Sequence, residues 1–406
     1  MNITRPFLLA SLLVLAACAQ APTPDTDLRS ELSPLRLGTS AYDQGVEVAI
    51  NRSLEAVFVV GSTGGSLDGP SKGGSDGFLR RYRRDGSLVW RVQFGAPYGD
   101  YAGGVATDRA GNVYVASTAE TPYSYSRAVL GKYSPKGTRL WTRTFEMEPD
   151  SEDTEADGVV TDEAGNVYVA ANTFFQSHVR KYSSSGTLLW TRSADTWAVT
   201  TRVEAMTTDR DGNLYVGVGE YDDDSFSSTI VKYSGSGKVL WSKALGNNRG
   251  VTDLQVVGSA LYATGYKTYF EGTVPSDAYA AKFSLDGSVL WDKTFGTTES
   301  DWGTGVTADG SGNAYITGQT FGALVGRNAG EWDGFVRKYD PSGKVVWTKQ
   351  FGSAGRDTPE DIVAYNGSEL YLIGSTNGKL GPAHRGGYDA FLRRLDGSGR
   401  VVWTDQ

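Results

Sequence analysis

The sequence predicts an all-β fold, a seven-bladed β-propeller with four antiparallel strands per blade, and three observations carry that expectation. A Gly-x-x-x-Trp element occurs at Gly86–Trp90, Gly137–Trp141, Gly186–Trp190, Gly237–Trp241, Gly287–Trp291, Gly343–Trp347 and Gly399–Trp403. Successive tryptophans of this set lie 51, 49, 51, 50, 56 and 56 residues apart, the period of a repeat that holds four short strands. Glycine supplies 52 of the 406 residues, far above its usual share of ~7%. With 22 Tyr, 15 Phe and 10 Trp beside it, the composition favours strands and tight turns over helices.

Each element of the unit has a physical reason, clearest in the sixth copy. A first strand, Gly305 to Asp309, is followed by a turn at Gly312-Asn313 and a second strand, Ala314 to Gly318. A long loop then leads to Gly334 to Tyr339, and an Asp-x-Ser-Gly turn leads to Lys344 to Trp347 and on to Phe351-Gly352. Phe335, Arg337 and Tyr339 alternate with Val336 and Lys338 at the period of two that strands require. Gly-Asn at 111–112, 165–166, 212–213 and 312–313 offers the positive φ of a tight hairpin. Asp108, Asp162, Asp209 and Asp309 stand where a carboxylate can accept the turn's backbone N–H groups. Each fourth-strand Trp is expected to wedge between blades and to donate its indole N–H to a neighbouring backbone.

These units resemble the bacterial seven-bladed β-propeller (SBBP) repeat, with its pattern of FG, then D, GVATD, GNVYVAG, DAFVRKYD and VWT. The resemblance is strongest over Phe94 to Val115, Phe295 to Thr320 and Asp333 to Trp347, and it extends over residues 36 to 406. The third to fifth copies are eroded: Thr200 to Asp209 lacks the opening Asp-aromatic pair, and Gly250 to Val257 lacks the turn Asp. The Gly-x-x-x-Trp element is also similar to that of quinoprotein dehydrogenases. Those enzymes hold their quinone with a vicinal cysteine pair, and a chain with one cysteine excludes that activity.

The front end reads as a targeting segment. Arg5 precedes an apolar run of 11 residues from Phe7 to Ala17, against the ~20 that a spanning helix needs, so residues 1–17 read as a signal peptide. Leu15-Ala16-Ala17-Cys18 resembles the lipobox of bacterial lipoproteins, which implies lipid attachment at Cys18, an exported protein held in the cell envelope and, with Ala19 following, outer-membrane sorting in a Gram-negative cell. Residues 18–34, with Pro22, Pro24 and Pro34, then form a flexible lipid-anchored linker, and residues 35–406 a single propeller. Since Cys18 is the lone cysteine, disulfides, a cysteine zinc site and a thiol nucleophile are excluded from the propeller.

The register also predicts how the ring closes. Phe94, Phe295 and Phe351 each precede an Asp by six residues, and Leu37 precedes Asp43 by six. The chain stops at Gln406, one residue short of that apolar position, so residues 35 to 38 are expected to dock beside the outer strand of blade 7 and close the ring.

Strand alternation places every long loop on one face: Ser62 to Asp76, Ala119 to Arg127, Glu220 to Ser227, Lys267 to Asp277, Gln319 to Asp333 and Ser375 to Asp389. Loops on a rigid scaffold commonly carry function. The candidate binding face therefore comprises Tyr101, Tyr123, Tyr125, Tyr221, Phe226, Tyr269, Phe270, Trp302, Phe321, Trp332 and His384. Such aromatics beside acids form either a stacking surface for sugars or a patch for a protein partner. The competing expectation is that Tyr42, Tyr101 and Trp302 plug the interior of the ring. Asp76, Asp277, Asp333 and Asp389, one before each of four third strands, read as structural caps. Asp222-Asp223-Asp224 and the run from Glu148 to Glu155 are the places for weakly held Ca²⁺, but neither has the spacing of an EF-hand loop, so no metal or cofactor is expected.

The balance of 39 Lys+Arg against 47 Asp+Glu, net −8, argues against nucleic acid as a partner. Only two histidines exist, His178 and His384, and no Gly-x-Ser-x-Gly elbow stands before a helix, so no catalytic residue is assigned. The sequence thus points to a monomeric, non-enzymatic envelope lipoprotein that presents its long-loop face to a glycan, a surface polymer or a protein. An assembly scaffold is the first alternative, and a lyase or hydrolase using His384 and a carboxylate on that face is the second.

Overall fold

The computed structural model describes residues 36–406, apart from 123–124, 147–152, 195–199, 223–224, 270–274, 368 and 383. Cys18, Tyr123 and Phe270, and most of the acid-rich run 148–155, fall outside the described residues. The described residues form seven sheets, each of four consecutive antiparallel strands, and no helix. The sheets span 43–94, 100–145, 155–193, 200–247, 249–295, 301–351 and 357–405, here blades 1 to 7. The inner strands are Asp43–Asn51, Asp100–Thr107, Glu155–Thr161, Thr200–Thr208, Arg249–Val257, Asp301–Ala308 and Asp357–Tyr365.

A single sheet has two faces to bury, and the hydrophobic clusters show how that is met. One cluster joins Val105, Val113 and Tyr133 of blade 2 to Phe58, Val60 and Leu79 of blade 1. Another joins Tyr365, Tyr371 and Leu392 of blade 7 to Val48, Val57 and Tyr82 of blade 1. All seven clusters straddle a junction in this way, so burial comes from stacking.

The turns behave as the sequence requires. Gly111, Gly165, Gly212 and Gly312 have φ between +76° and +82°. Asp108, Asp162, Asp209 and Asp309 accept the backbone N–H of the asparagine four residues on, at 2.8–3.0 Å. Their other oxygen accepts the hydroxyl of Tyr114, Tyr168, Tyr215 or Tyr315 from the second strand.

The Gly-x-x-x-Trp element proves to act at two junctions at once. The indoles of Trp90, Trp141, Trp190, Trp241 and Trp291 donate to a carbonyl in the next blade's third-to-fourth turn, at 2.9–3.3 Å. The turn glycine of that next blade lies under the same ring. A Cβ on Gly137 would stand 2.9 Å from Trp90, and one on Gly86 the same distance from Trp403, so the packing of ring on glycine runs from blade 7 back to blade 1, although the Trp403 indole N–H, unlike those five, has no hydrogen-bond partner.

Closure differs in detail from the expectation. Residues 36–40 form no strand, and blade 7 keeps the same four strands as the others. Leu37 nevertheless fills the expected apolar position: it is fully buried among Phe78, Ile373 and Leu392. Gln406 takes the place of Gln93 and Gln350, and all three donate to the aspartate that opens their third strand (Asp389, Asp76 and Asp333) and to a loop carbonyl. The apolar pair before each Trp lies on the outer edge, where Val239, Leu240, Val345 and Val346 are all exposed. Lys243 and Lys349 follow on the same strands and discourage edge-to-edge pairing.

Candidate ligand-binding site

Every inner strand carries a register break near its long-loop end, where an extra residue bulges out: Val46, Gly103, Glu204, Thr252, Thr304 and Glu360 in blades 1, 2 and 4 to 7, with Ala156-Asp157 in blade 3. Two residues before the bulge lies one register position at the long-loop end of each inner strand. That position holds Gln44, Tyr101, Glu155, Arg202, Gly250, Trp302 and Thr358 around the ring.

On blades 4 to 6 the long-loop end of the blades carries a continuous row of rings. Tyr221 meets Phe226 at 5.0 Å between centroids, and Phe226 stacks on Tyr266 at 5.4 Å with only 5° between planes. Tyr266 meets Trp302 at 5.8 Å, Trp302 meets Trp332 at 5.6 Å, and Trp332 meets Phe321 edge-on at 5.4 Å. Gly250 makes the row possible, since a Cβ there would stand 2.6 Å from both Phe226 and Tyr266. The row stays open to solvent: Trp302 is 37% and Phe321 47% exposed.

Polar groups line the row. At one end the Tyr221 hydroxyl donates to Glu204 at 2.8 Å, and Arg202 donates to Glu155 and Asp157 at 2.8 and 2.6 Å. Burial, partly offset by Tyr221 and Arg202, pushes the Glu204 carboxyl above its usual range. Burial and the nearby Glu204 push the Tyr266 phenol up to about 12. At the other end the Arg356 guanidinium lies 5.6 Å from the Trp332 ring. Gln319, paired across from Trp302, is buried and its Oε1 has no hydrogen-bond partner. In blades 1 to 3 the equivalent side chain accepts a backbone N–H from the next blade, as Ser62 does from Ala102 at 3.1 Å. Blade 7 presents Pro359 at that place, which has no N–H to give.

Of the residues singled out from the sequence, Tyr221, Phe226, Trp302, Phe321 and Trp332 come together in this row. Tyr101 and Tyr125 lie apart from it on blade 2. Tyr269 donates to Asp277 at 2.6 Å, and His384 Nδ1 lies 3.1 Å from Asp389 Oδ2 on blade 7. Tyr42, Tyr101 and Trp302 do not form the equivalent set that the plugging expectation required: all three are exposed, Tyr42 precedes its blade's first-strand Asp whereas Tyr101 and Trp302 follow theirs, and Trp302 packs between Tyr266 and Trp332. The segment Glu220 to Ser227 is not an open loop. It continues a hairpin in which Tyr221 pairs with Phe226, and this pairing delivers both rings to the row. Sequence reasoning missed Tyr266, whose signal was the missing aromatic at Gly250, and the exposed pair Phe174 and Phe175, 4.8 Å apart on blade 3. It placed Asp76, Asp277, Asp333 and Asp389 soundly, as each opens a third strand and accepts hydrogen bonds there. Among the described residues, no group of three His, Cys, Asp or Glu side chains is arranged to hold a metal ion.

The β-propeller repeat (SBBP) matches residues 89–122 and 293–323. No match was found among curated protein sequences. Among solved structures, a protein from Lactobacillus plantarum is similar at 13% identity and TM-score 0.52, with 86% of this chain and 95% of that one covered. Puromycin hydrolase is similar at 11% identity and TM-score 0.53; 91% of this chain is covered but only 54% of the enzyme, so the chain spans about half its length. At such identities the likeness is one of fold. The chain is a seven-bladed β-propeller that carries SBBP β-propeller repeats.

Proposed function

We propose that the protein is a non-enzymatic binding module that holds a carbohydrate chain along the aromatic row of blades 4 to 6. The observation that carries this reading is the row itself: six rings in unbroken succession on the long-loop face, open to solvent at Trp302 and Phe321. Pyranose rings present flat C–H faces that stack on aromatic side chains. Their hydroxyls suit Glu204, Arg202 and Arg356. A row that extends over three blades suits a polymer better than a single sugar.

The same reading makes this an exported lipoprotein of the bacterial envelope, tethered through Cys18. Its support is the lipobox-like Leu15-Ala16-Ala17-Cys18 directly after an apolar run too short to span a bilayer. Labelling cells with a fatty-acid analogue should mark the protein, and Cys18→Ser should abolish the mark. The non-enzymatic assignment is supported by His384, whose neighbour Asp389 is already committed to Arg385 and Gln406.

Affinity electrophoresis against a panel of soluble polysaccharides tests the binding role. At least one polysaccharide should retard the protein, and Trp302→Ala and Trp332→Ala should each restore free mobility. Retardation unchanged in both variants would overturn the site.

A further inference from the structure

At three blade junctions a phenylalanine that ends one fourth strand is covered by an arginine from the next blade's third strand. Arg180 lies over Phe145 at 4.5 Å from the ring centroid, Arg337 over Phe295 at 4.0 Å and Arg393 over Phe351 at 4.5 Å. Where the phenylalanine's place is taken by Ala194 or Leu245, the next blade has Val231 or Ala281 in place of the arginine. Arg80 of blade 1, whose counterpart is Leu37, is bound instead by Asp68 at 2.8 Å. Phe94, at the junction of blades 1 and 2, has no such cation: the residue in the arginine's place is Gly131. Its backbone is not left-handed, so glycine is not required there by conformation. A Cβ would meet the edge of the Tyr133 ring at 3.2 Å, a contact that a small shift of the ring relieves.

The groups that serve the arginine elsewhere are nevertheless kept. Gly131 pairs across with Thr142 in the register in which Arg337 pairs with Thr348 and Arg393 with Thr404. Those two threonine hydroxyls accept the arginine Nε–H at 2.8 and 2.9 Å. Asp100 follows Phe94 by six residues as Asp357 follows Phe351. Burial pulls the Arg393 guanidinium down to about 10, and the charge of Asp357 opposes that pull. At the vacated place lies a cavity of about 130 Å³, lined by Phe94, Asp100, Gly131, Tyr133 and Thr142. Val129, where blades 6 and 7 have Phe335 and Phe391, adds to the space.

We propose that this cavity between blades 1 and 2 binds a guanidinium group brought from outside, on a small guanidine or at the end of another chain's arginine. A guanidinium is planar and carries its donors along its edge, so its face can lie on Phe94 while an N–H donates to Thr142. Asp100 supplies the opposite charge; it is buried, and Asp76 and Glu120 add to its field while Lys72 subtracts from it. An ammonium suits the place less well, being strongly hydrated and without a flat face to lay on the ring. The exposed Arg139 also lines the cavity, and its like charge opposes the ligand.

Titration calorimetry on the full-length protein tests this with methylguanidinium, with methylurea as its uncharged isostere, and with N-acetylarginine amide. Methylguanidinium should bind, and methylurea should bind several-fold more weakly, having no charge to set against Phe94 and Asp100. Thr142 and Arg139 are exposed on an outer-edge strand, so changing them should leave the fold intact. Thr142→Val should weaken methylguanidinium several-fold, and Arg139→Ala should strengthen it. Gly131→Arg should abolish binding and raise the melting temperature, because the chain then supplies its own cation. Binding of N-acetylarginine amide as well would assign the group to a partner's arginine, and binding of methylguanidinium alone to a small guanidine. Absence of methylguanidinium binding, equal binding of methylurea, or binding unchanged in Thr142→Val and in a folded Gly131→Arg, would overturn the proposal.

Discussion

Alanine at Gly343 should cost more stability than alanine at Gly287, although the two glycines hold the same place in successive blades. Both have left-handed backbones, φ +81° and +88°, and a Cβ in that conformation costs about 1–2 kcal/mol. They differ in what lies above them. A Cβ on Gly287 would rest 3.5 Å from Trp241, an ordinary contact, whereas one on Gly343 would stand 2.8 Å from Cγ of Trp291. Trp291 cannot swing away freely, being 7% exposed and packed with Val306, Phe335 and Tyr339. Forcing a methyl into such a contact adds about 1–3 kcal/mol. Gly287→Ala should therefore cost about 1–2 kcal/mol, and Gly343→Ala about 2–5 kcal/mol. Guanidinium chloride denaturation, compared at equal slope, measures both. In a Trp291→Ala background the cost of Gly343→Ala should fall to that of Gly287→Ala. Equal costs in the parent chain, or an undiminished cost in that background, would refute the interlock.

Leu37→Ala should destabilise by about 2–5 kcal/mol as a buried leucine of the blade 7 to blade 1 junction, and an unchanged denaturation midpoint would contradict its closing role. Burial holds Glu360 up at about 7 and Asp253 at about 6, so the folded chain keeps protons that the unfolded chain has released above pH ~4. The stability these protons contribute is complete below that pH and is lost as the pH rises through 6 and 7; Glu360→Gln should flatten the decline, and melting points that do not fall between pH 5 and 8 in the parent would refute it. Asp209 has the opposite sign: its carboxyl is held low, burial being outweighed by hydrogen bonds from Asn213. Its contribution is present above pH ~4 and fades as the pH falls below that, so Asp209→Ala should cost about 1–3 kcal/mol at pH 7 and less at pH 3.

The repeat was legible because turn chemistry is local. Gly312 and Asp309 are set by backbone needs within a few residues, and such needs leave fixed spacings in a sequence. The placement of the long loops followed from strand alternation for the same reason. Two things were not legible. The first is contact between blades: Trp291 and Gly343 lie 52 residues apart, and nothing near either announces the other. The second is which aromatics meet. Tyr266 joins the row because Gly250 vacates its space, and Tyr221 reaches Phe226 because a hairpin extends where a loop was expected. Tyr101 and Trp302 share a register position, yet only Trp302 has neighbours that complete a row. The equivalence of Glu47, Asp253 and Asp361 was hidden for a related reason, since they share a position only once the bulges fix the register.

The most direct measurement on the aromatic row is titration of the protein with a graded series of oligosaccharides, from disaccharide upward, cut from whichever polysaccharide retards it. The expected result is an affinity that climbs with chain length until the row is covered and that collapses in Trp302→Ala and Trp332→Ala. An affinity independent of length, or one that survives both substitutions, would contradict the assignment of the row as a carbohydrate site.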